Sequence, residues 1–390
     1  MQPRDLSAHS VYQAGRGNEE VARELGVDPG DLIALSSNEN PLGASPKAVA
    51  AVREAADSIN TYPKASHADL IERLAARWDV APAQVWLAPG GDGAIDYLHR
   101  ALLDPGDRVL VPDPGFAYYA MSARYHHGTA RAYRIRKAED FAQTAGTILD
   151  AYDGERIVYL TSPHSPLGTE ISIGGVAEIA DGTDEETLVV VDEAYGEFTD
   201  APSKVDLVRE RDDVAVLRTF SKAYGLAGLR LGYLLAPGAW ADAYARVNTP
   251  FGVNKLACRA GLAALDDDDH VERSVEAVRW AREYMYEHLD APTWESAGNF
   301  VLADVGEGVE GVEVGERDED GAGDEDGEPR RRSTAGGTDA SPAAAVADAC
   351  QREGVIVRDC SSFGLPGCIR ITCGTREETE RAVEVVNRVV

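Results

Sequence analysis

Hydrophobic positions follow two different periods that alternate along this chain. Four short apolar runs have the length of buried β-strands: residues 107–111, 156–161, 187–191 and 214–219. Three stretches between them have the spacing of amphipathic helices: residues 92–103, 116–125 and 172–181. An alternation of this kind predicts an α/β architecture in which the sheet is largely parallel.

Helix signals lie on both sides of this alternating region. Ser45 followed by Pro46 predicts an N-cap and a first helical residue, and therefore a helix through about residue 57. Ser66 with Asp69 resembles a capping box for a helix that ends near Trp78. The C-terminal third is more helical, with long candidates at 254–266, 269–289 and 375–389.

A polar segment interrupts the pattern between a predicted strand at 299–303 and a predicted helix from near Pro342. Residues 306–341 contain nine glycines, twelve acidic residues and four arginines, without an apolar period. Because such a segment cannot form a hydrophobic core, we expect a disordered acidic, glycine-rich insertion. A docking site for a partner is the alternative interpretation of the same composition.

Acidic residues exceed basic residues along the whole chain, 67 against 38, which gives a net charge of −29. Only six of the basic residues are lysines. This composition is typical of proteins from a very salty cytoplasm, where ions screen the self-repulsion of the surface. Nucleic acid is not an expected partner, because contacts to phosphates need a basic surface.

The sequence has no apolar run of eighteen residues and no hydrophobic stretch behind its N-terminal charge. We therefore expect a cytoplasmic protein without a membrane span or a secretory signal. The five cysteines form no C-x-x-C pair, and their odd number and wide spacing favour reduced thiols over disulfides or a zinc site. No metal is predicted.

Two motifs with chemically reactive side chains follow predicted strands. The strand at 187–191 ends in Asp192, and Tyr195 follows three residues later. By itself such a carboxylate is more often a salt-bridge or capping partner. Lys222 follows the strand at 214–219, next to Ser221 and eight residues before Arg230. A solvated lysine after a strand would explain neither the arginine nor the glycines between them.

The third motif is a glycine-rich turn at 88–95, which contains Gly91, Asp92 and Gly93. Free backbone N–H groups at a helix N-terminus bind anions, although strand-to-helix turns are often glycine-rich for steric reasons alone. The first motif supplies a carboxylate that can pair with a pyridine nitrogen, and the second supplies a lysine that can react with a carbonyl carbon. The third supplies backbone N–H groups that can bind a phosphate. Their combination predicts a pyridoxal phosphate site.

With these motifs, the chain resembles the fold-type I aminotransferases, and among them the histidinol-phosphate aminotransferase family. The resemblance covers the chain apart from 306–341 and extends to five further stretches: 35–43, 62–63, 112–116, 357–359 and 369–378. It implies a large cofactor domain at 46–247, with a mostly parallel, seven-stranded sheet flanked by helices. It also implies a small α+β domain formed by 1–45 and 248–390.

The resemblance implies a role for each matching residue around the cofactor. Lys222 would bind pyridoxal phosphate covalently, Asp192 would pair with the pyridine nitrogen, and Tyr195 would bond the phenolate oxygen of the ring. Phe116 would stack on that ring. The remaining matches would hold the cofactor phosphate: Gly91, Asp92, Gly93, Ser221, Arg230, and a Tyr62 donated across the interface of a homodimer.

On the substrate side, Arg370 matches the arginine that binds the substrate carboxylate, and Arg358 matches the one that faces the substrate phosphate. Tyr12 and Asn40 are candidates for the substrate wall, with local turn stabilisation as the alternative for both. Ser165 stands where the family has an asparagine that donates to the phenolate oxygen. Because serine is shorter, its bond to the cofactor could need a bridging water.

The resemblance implies a small-molecule reaction, in which glutamate gives its amino group to imidazole acetol phosphate by way of the cofactor. An aromatic or broad-range aminotransferase and a threonine-phosphate decarboxylase share most of these motifs and stay open as alternatives. A pyridoxal-phosphate-binding protein without turnover is an alternative from a different class, and Ser165 is the one feature that favours it.

Overall fold

The computed structural model describes residues 6, 7, 9, 11, 12, 17–64, 67–306 and 341–390. Ser66 of the predicted capping box lies outside these residues, and so does the predicted 306–341 insertion apart from its two end residues. Across the described ranges, no helix combines the length and hydrophobicity needed to cross a lipid bilayer.

Strands and helices alternate through the described part of the chain. The strands are β1 Ile33–Leu35, β2 Val85–Ala88, β3 Arg108–Asp113, β4 Thr129–Arg134, β5 Ile157–Thr161, β6 Leu188–Asp192, β7 Val214–Thr219, β8 Gly232–Leu235, β9 Thr293–Trp294, β10 Phe300–Asp304, β11 Val355–Asp359 and β12 Cys368–Thr372. The α-helices are α1 Asn18–Leu25, α2 Pro46–Ala55, α3 Ala68–Trp78, α4 Gly90–Leu102, α5 Tyr118–Tyr125, α6 Ala145–Ala151, α7 Ile173–Gly182, α8 Val205–Glu210, α9 Ala241–Val247, α10 Lys255–Ala264, α11 Asp268–His288, α12 Pro342–Arg352 and α13 Arg376–Val389.

The larger sheet has seven strands in the order β2-β8-β7-β6-β5-β3-β4. Its strands run parallel except for β8, which is antiparallel to both of its neighbours. This confirms the mostly parallel, seven-stranded sheet that the sequence led us to expect. Right-handed crossovers through helices are the usual way to connect parallel neighbours, and the helices cover the sheet accordingly.

The core explains why the predicted strands are continuously apolar. Every residue of β5 and β6 is buried. Val189 and Val191 join the hydrophobic cluster on one face of the large sheet, whereas Leu188 and Val190 join the cluster on the other. A strand that is buried on both faces has no need for the polar alternation of a half-exposed strand.

The smaller sheet joins the two ends of the chain. Its order is β1-β11-β12-β10-β9, and β1 pairs in parallel with β11, with Ile33 opposite Val355. A separate hydrophobic cluster lies around this sheet. Helix α10 follows the predicted domain boundary at 247, yet its buried Ala257 and Ala260 belong to the large-sheet cluster. The domain boundaries therefore stay a prediction.

Helix ends show where local signals were sufficient. Ser45 caps α2 by accepting a hydrogen bond from the Ala48 N–H at 3.2 Å, as predicted. Helix α3 ends at Trp78 as predicted, but its N-cap is His67, which makes no side-chain capping bond. The Asp69 carboxylate instead pairs with Lys64 at 2.7 Å. The carboxylate that the sequence assigned to the capping box is thus paired with the Lys64 ammonium.

Candidate active site

A cavity of about 380 Å³ lies between the two sheets. Residues from the carboxyl ends of β5, β6 and β7, from the first turn of α4, and from β11 and β12 line it. Ligands of open α/β sheets usually bind at this end of the strands. Twelve of the fifteen predicted site residues line the cavity: Tyr12, Gly91, Asp92, Phe116, Ser165, Asp192, Tyr195, Ser221, Lys222, Arg230, Arg358 and Arg370. Gly93, Tyr62 and Asn40 do not.

Asp192 is the last residue of β6 and places a buried carboxylate at the cavity wall. Burial raises its pKa to about 6, and hydrogen bonds partly oppose that shift. The Tyr119 hydroxyl donates to Oδ2 at 2.6 Å, and the Ala194 N–H donates to Oδ1 at 2.9 Å. Both oxygens are thus held in place, and the carboxylate can pair with a cation in the cavity.

The Tyr195 hydroxyl lies in a positively charged environment. Burial raises its pKa, but the Lys222 ammonium, the Arg370 guanidinium and hydrogen bonds with Asn38 and Ser165 outweigh burial and lower it below the usual value. The Asn38 amide donates to Tyr195 Oη at 2.9 Å. Lys222 Nζ lies 5.6 Å from the centre of the Tyr195 ring. A phenol that is more acidic than usual is a strong hydrogen-bond donor to an anionic oxygen.

Lys222 is held through its backbone as well as its amine. The Asn40 amide donates to the Ala223 carbonyl at 2.8 Å and to the Lys222 carbonyl at 3.3 Å, while its oxygen accepts from the Leu42 N–H at 2.8 Å. The Lys222 amine donates to the Ser37 carbonyl at 3.1 Å. Asn40 thus acts on the lysine loop from outside the cavity, and the geometry favours turn stabilisation over a place in the substrate wall.

An anion-binding end forms where α4 begins. The helix starts at Gly90, so the N–H groups of Gly91 and Asp92 fall in the first turn, where intrahelical acceptors are missing. Gly90 has a φ of +83°, and a Cβ there would lie 2.6 Å from Arg230 Nη2. Arg230 Nη2 also pairs with Asp92 Oδ2 at 2.7 Å. Glycine therefore lets a guanidinium approach the helix N-terminus, which is a suitable place for a phosphate.

Two arginines from neighbouring strands face the same cavity. Arg370 on β12 is buried, donates to Ser165 Oγ at 3.0 Å and to the Ser36 carbonyl at 2.7 Å, and burial lowers its pKa. Arg358 on β11 is partly exposed and donates to Ser362 Oγ at 3.3 Å. Ser165, which replaces the asparagine expected from the family, thus bonds the guanidinium of Arg370.

Aromatic rings cover another side of the cavity. Phe116 lies edge to face with Tyr119, at 5.4 Å between ring centres, and with Tyr12, at 6.1 Å. Burial raises the pKa of Tyr12, and the nearby Asp92 carboxylate adds to this effect. Tyr12 is therefore a neutral hydrogen-bond donor at physiological pH. The face of Phe116 remains a suitable surface for a planar ligand.

Tyr62 is outside the lining of this cavity. Its side chain is 79% exposed and stacks on Phe251, with 4.7 Å between ring centres. Within one described chain it does not line the cavity. Its donation to the phosphate site of a second subunit stays a prediction.

The sequence motifs predict no role for two residues that the structure places at the site. Tyr119 was one of several aromatic residues in the helical stretch 116–125, and nothing in the spacing distinguished it. Asn38 lies in the matching stretch 35–43 but had no assigned role. Its φ of 52° is unusual for a residue other than glycine. A polar residue with a positive φ beside the Lys222 loop is a signal that only the backbone reveals.

The fold and the site define an aminotransferase. The family model of aminotransferase class I and II matches residues 30–386, so the chain belongs to that family. Within it, the chain groups with histidinol-phosphate aminotransferases. It is 63% identical to that of Haloarcula marismortui over 390 residues, which cover 100% of this chain and 99% of the relative. It is 64% identical to that of Natronomonas pharaonis over 387 residues, covering 99% of each.

A solved structure agrees with this assignment. Histidinol-phosphate aminotransferase from Sinorhizobium meliloti, in complex with pyridoxal-5'-phosphate, has a TM-score of 0.81 and 26% identity, covering 99% of each chain. The relatives from Haloarcula and Natronomonas come from halophilic archaea. This confirms the expectation of a halophilic protein, which was drawn from the acidic, lysine-poor composition.

Proposed function

We propose that the chain transfers an amino group from glutamate to imidazole acetol phosphate, giving histidinol phosphate and 2-oxoglutarate in a biosynthetic reaction of the histidine pathway. Pyridoxal 5'-phosphate is the cofactor in this proposal. The observation that carries it is the presence of Lys222, Asp192, Arg358 and Arg370 around one cavity. The name shared by the relatives supports the choice of substrate.

The donor set of the cavity fits pyridoxal phosphate. The buried Asp192 carboxylate suits a protonated pyridine nitrogen, and the acidified Tyr195 hydroxyl suits the ring oxygen. The first turn of α4, with Ser221 and Arg230, suits the phosphate. When bound, the cofactor supplies a carbonyl group for the amine and a ring that withdraws electrons.

Lys222 has two tasks in this proposal. Its amine is the attachment point of the cofactor and, once released, the base that moves a proton at the substrate Cα. Asn40 donates to the carbonyl groups of Lys222 and Ala223, which limits the positions open to the amine. The closeness of the amine to the Tyr195 ring places both groups at the same end of the cavity.

The two arginines suit substrates with anionic ends. Glutamate offers carboxylates, whereas histidinol phosphate has a phosphate and no carboxylate. We assign the buried Arg370 to the carboxylate and the more exposed Arg358 to the phosphate, because guanidinium groups bind both anions with paired hydrogen bonds. An anion between them would also offset the repulsion between two neighbouring positive charges.

A homodimer in the cytoplasm completes the proposal. Tyr62 and Phe251 form an exposed aromatic pair, which suits coverage by a second copy. All five cysteines are free thiols, in keeping with a reducing compartment. Light scattering in high salt should give the mass of a dimer. Mixing Tyr62→Ala chains with Lys222→Ala chains should produce hybrid dimers with one intact site, if Tyr62 serves the partner.

The direct test is an assay of purified protein in high salt with histidinol phosphate, 2-oxoglutarate and pyridoxal phosphate. We expect glutamate to form without release of carbon dioxide, and we expect borohydride to shift the absorbance of the bound cofactor. Lys222→Ala should lose both signals. Lys47→Ala, which removes an exposed lysine, is the matched control and should keep them. Carbon dioxide release would identify a decarboxylase, and no turnover with bound cofactor would identify a binding protein.

A further inference from the structure

Tyr119 contacts two of the groups that the proposed cofactor needs. Its hydroxyl donates to Asp192 Oδ2 at 2.6 Å and lies 3.1 Å from Thr161 Oγ1. Its ring meets Phe116 edge to face, with 5.4 Å between ring centres and 89° between the planes. One fully buried side chain therefore fixes both the acid for the pyridine nitrogen and the ring expected to stack on the cofactor.

A second tyrosine fixes the orientation of Tyr119. The rings of Tyr119 and Tyr159 are stacked, at 4.4 Å between centres and 14° between planes. The Tyr159 hydroxyl is 2.8 Å from His99 Nε2, and all three side chains are buried. A buried ring that stacks on Tyr159 and also meets Phe116 has little freedom to rotate its hydroxyl away from Asp192.

The hydrogen bonds behind Tyr159 continue to the protein surface. His99 Nδ1 is 2.8 Å from Ser122 Oγ, and Ser122 Oγ donates to Asp96 Oδ1 at 2.5 Å. Burial lowers the pKa of His99 to about 3, with His126 adding to the effect, so the imidazole is neutral at physiological pH. The imidazole that bonds Tyr159 therefore keeps the same charge at the pH of the reaction.

We propose that Tyr119 is a positioning residue for transamination, which acts through the Asp192 carboxylate and is itself held by Tyr159 and His99. This inference rests on the proposed function. The Tyr119 hydroxyl keeps Oδ2 of Asp192 in one orientation and stabilises the charged carboxylate by hydrogen bonding. The consequence is tighter binding of a cofactor with a protonated ring nitrogen, and faster proton transfer at the substrate Cα.

The alternative is that Tyr119 only fills the core. Tyr119→Phe separates the two roles, because it removes the hydroxyl and keeps the ring and both aromatic contacts. Tyr233→Phe is the matched control. Tyr233 is a buried tyrosine whose hydroxyl accepts one hydrogen bond, from Trp78 Nε1 at 2.9 Å, and it does not line the cavity.

The first experiment compares wild type and both variants as holoenzymes in high salt. Loss of one hydrogen bond to a charged group predicts that Tyr119→Phe lowers kcat about tenfold and raises the dissociation constant of pyridoxal phosphate by about the same factor. KM for histidinol phosphate should stay within about twofold, because Arg358 and Arg370 are untouched. Tyr233→Phe should leave all three values near wild type. Equal effects of the two substitutions would overturn the inference.

The second experiment asks whether the effect passes through Asp192. The dissociation constant of pyridoxal phosphate is measured for Asp192→Asn and for the double variant Asp192→Asn/Tyr119→Phe. If Tyr119 acts through the carboxylate, removing its hydroxyl should weaken cofactor binding far less once the carboxylate is gone. Full additivity would overturn the inference. Failure of wild type to bind the cofactor would instead refute the proposed function, so the two failures are distinguishable.

Discussion

Arg358 and Arg370 lie directly opposite each other on the antiparallel strands β11 and β12. Like charges in this position destabilise a sheet, by a few tenths to about 1 kcal/mol. Both guanidinium groups also line the cavity, and burial lowers the pKa of Arg370. The pair costs stability in the free protein and is suited to a ligand that brings negative charge between the strands.

Substitution of Arg358 and substitution of Arg370 should impair different substrates, according to which anionic group each substrate carries. Loss of a charge-assisted pair in a closed site costs about 2–5 kcal/mol, so Arg358→Ala should impair histidinol phosphate far more than unphosphorylated histidinol. Arg370→Ala should impair every amino-acid substrate, glutamate included. Values of kcat/KM for the three substrates provide the measurement. An unchanged preference for phosphate in Arg358→Ala would contradict the assignment and favour a broad-range aminotransferase.

The pKa of Asp192 predicts a pH-dependent cost in the cofactor-free protein. Folding raises this pKa from 3.8 to about 6, so the carboxyl group stabilises the fold below pH 4, and that contribution is lost as the pH rises to about 6. Cofactor-free Asp192→Asn should therefore match wild type near pH 4 and exceed its unfolding free energy by about 2–3 kcal/mol at pH 8. Denaturant unfolding in high salt at both pH values is the measurement.

The matched control for Asp192 is Asp242→Asn, because the Asp242 side chain is 77% exposed. It should show no gain at pH 8. A wild type that is as stable as Asp192→Asn at pH 8 would mean that the Asp192 carboxylate carries no burial cost. We also expect Asp192→Asn to lose activity, which makes the site an example of stability given up for function.

A buried ion network beneath the site predicts a large loss of stability. Arg218 bonds Glu193 Oε2 and Glu197 Oε1, each at 2.6 Å, and all three side chains are buried. Arg218→Met would remove the cation that bonds both carboxylates and should cost about 3–5 kcal/mol of unfolding free energy. Arg246→Met breaks an exposed pair with Asp242 and should cost less than about 1 kcal/mol.

Calorimetry or denaturant unfolding of both arginine variants in high salt checks this network. Adding Glu197→Gln to Arg218→Met should recover part of the loss, because that uncompensated charge is then gone, whereas Glu193 keeps the buried Lys204 amine 4.0 Å away. Equal losses for Arg218→Met and Arg246→Met would show that the buried network contributes no more than a surface pair.

Gly225 should tolerate no side chain. Its φ is +68°, and a Cβ would lie 2.0 Å from the carbonyl oxygen of Gly43. Gly225→Ala should cost on the order of 2–4 kcal/mol and move the loop that carries Lys222, so cofactor binding should fall as well. Gly228→Ala is the control, since a Cβ there meets nothing within 4 Å. Thermal unfolding and cofactor titration of both variants are the measurements, and similar results would contradict the prediction.

The sequence predicted those parts of the fold that depend on local pattern. Strand β6 was predictable because its residues are buried on both faces and therefore continuously apolar. Asp192 and Lys222 were predicted to share a site because each comes at the end of an apolar strand, and both line the cavity. Their roles stay predictions. Helix α3 shows the limit, since its N-cap is His67 and Asp69 pairs with Lys64.

Contacts between segments that are distant along the chain could not be predicted from the sequence. Tyr119 bonds Asp192 across 73 positions of the chain, and Asn40 bonds the Lys222 loop across more than 180. No spacing rule connects such residues, because their neighbourhood is created by the packing of α5 on the sheet and of the N-terminal segment on the lysine loop. Ser165 was identified as a departure from its family, but its bond to Arg370 required the position of β12.

The pairing of β1 with β11 has a consequence for the order of folding during synthesis. Ile33 leaves the ribosome early, but its partner Val355 follows only near the end of translation. Synthesis at roughly 5–20 residues per second makes β1 wait for many seconds, while all strands of the seven-stranded sheet emerge before residue 236. The nascent chain can therefore assemble the part of the cavity that contains Asp192 and Lys222 before Arg358 and Arg370 are synthesised. Until then β1 has no strand to pair with in the smaller sheet.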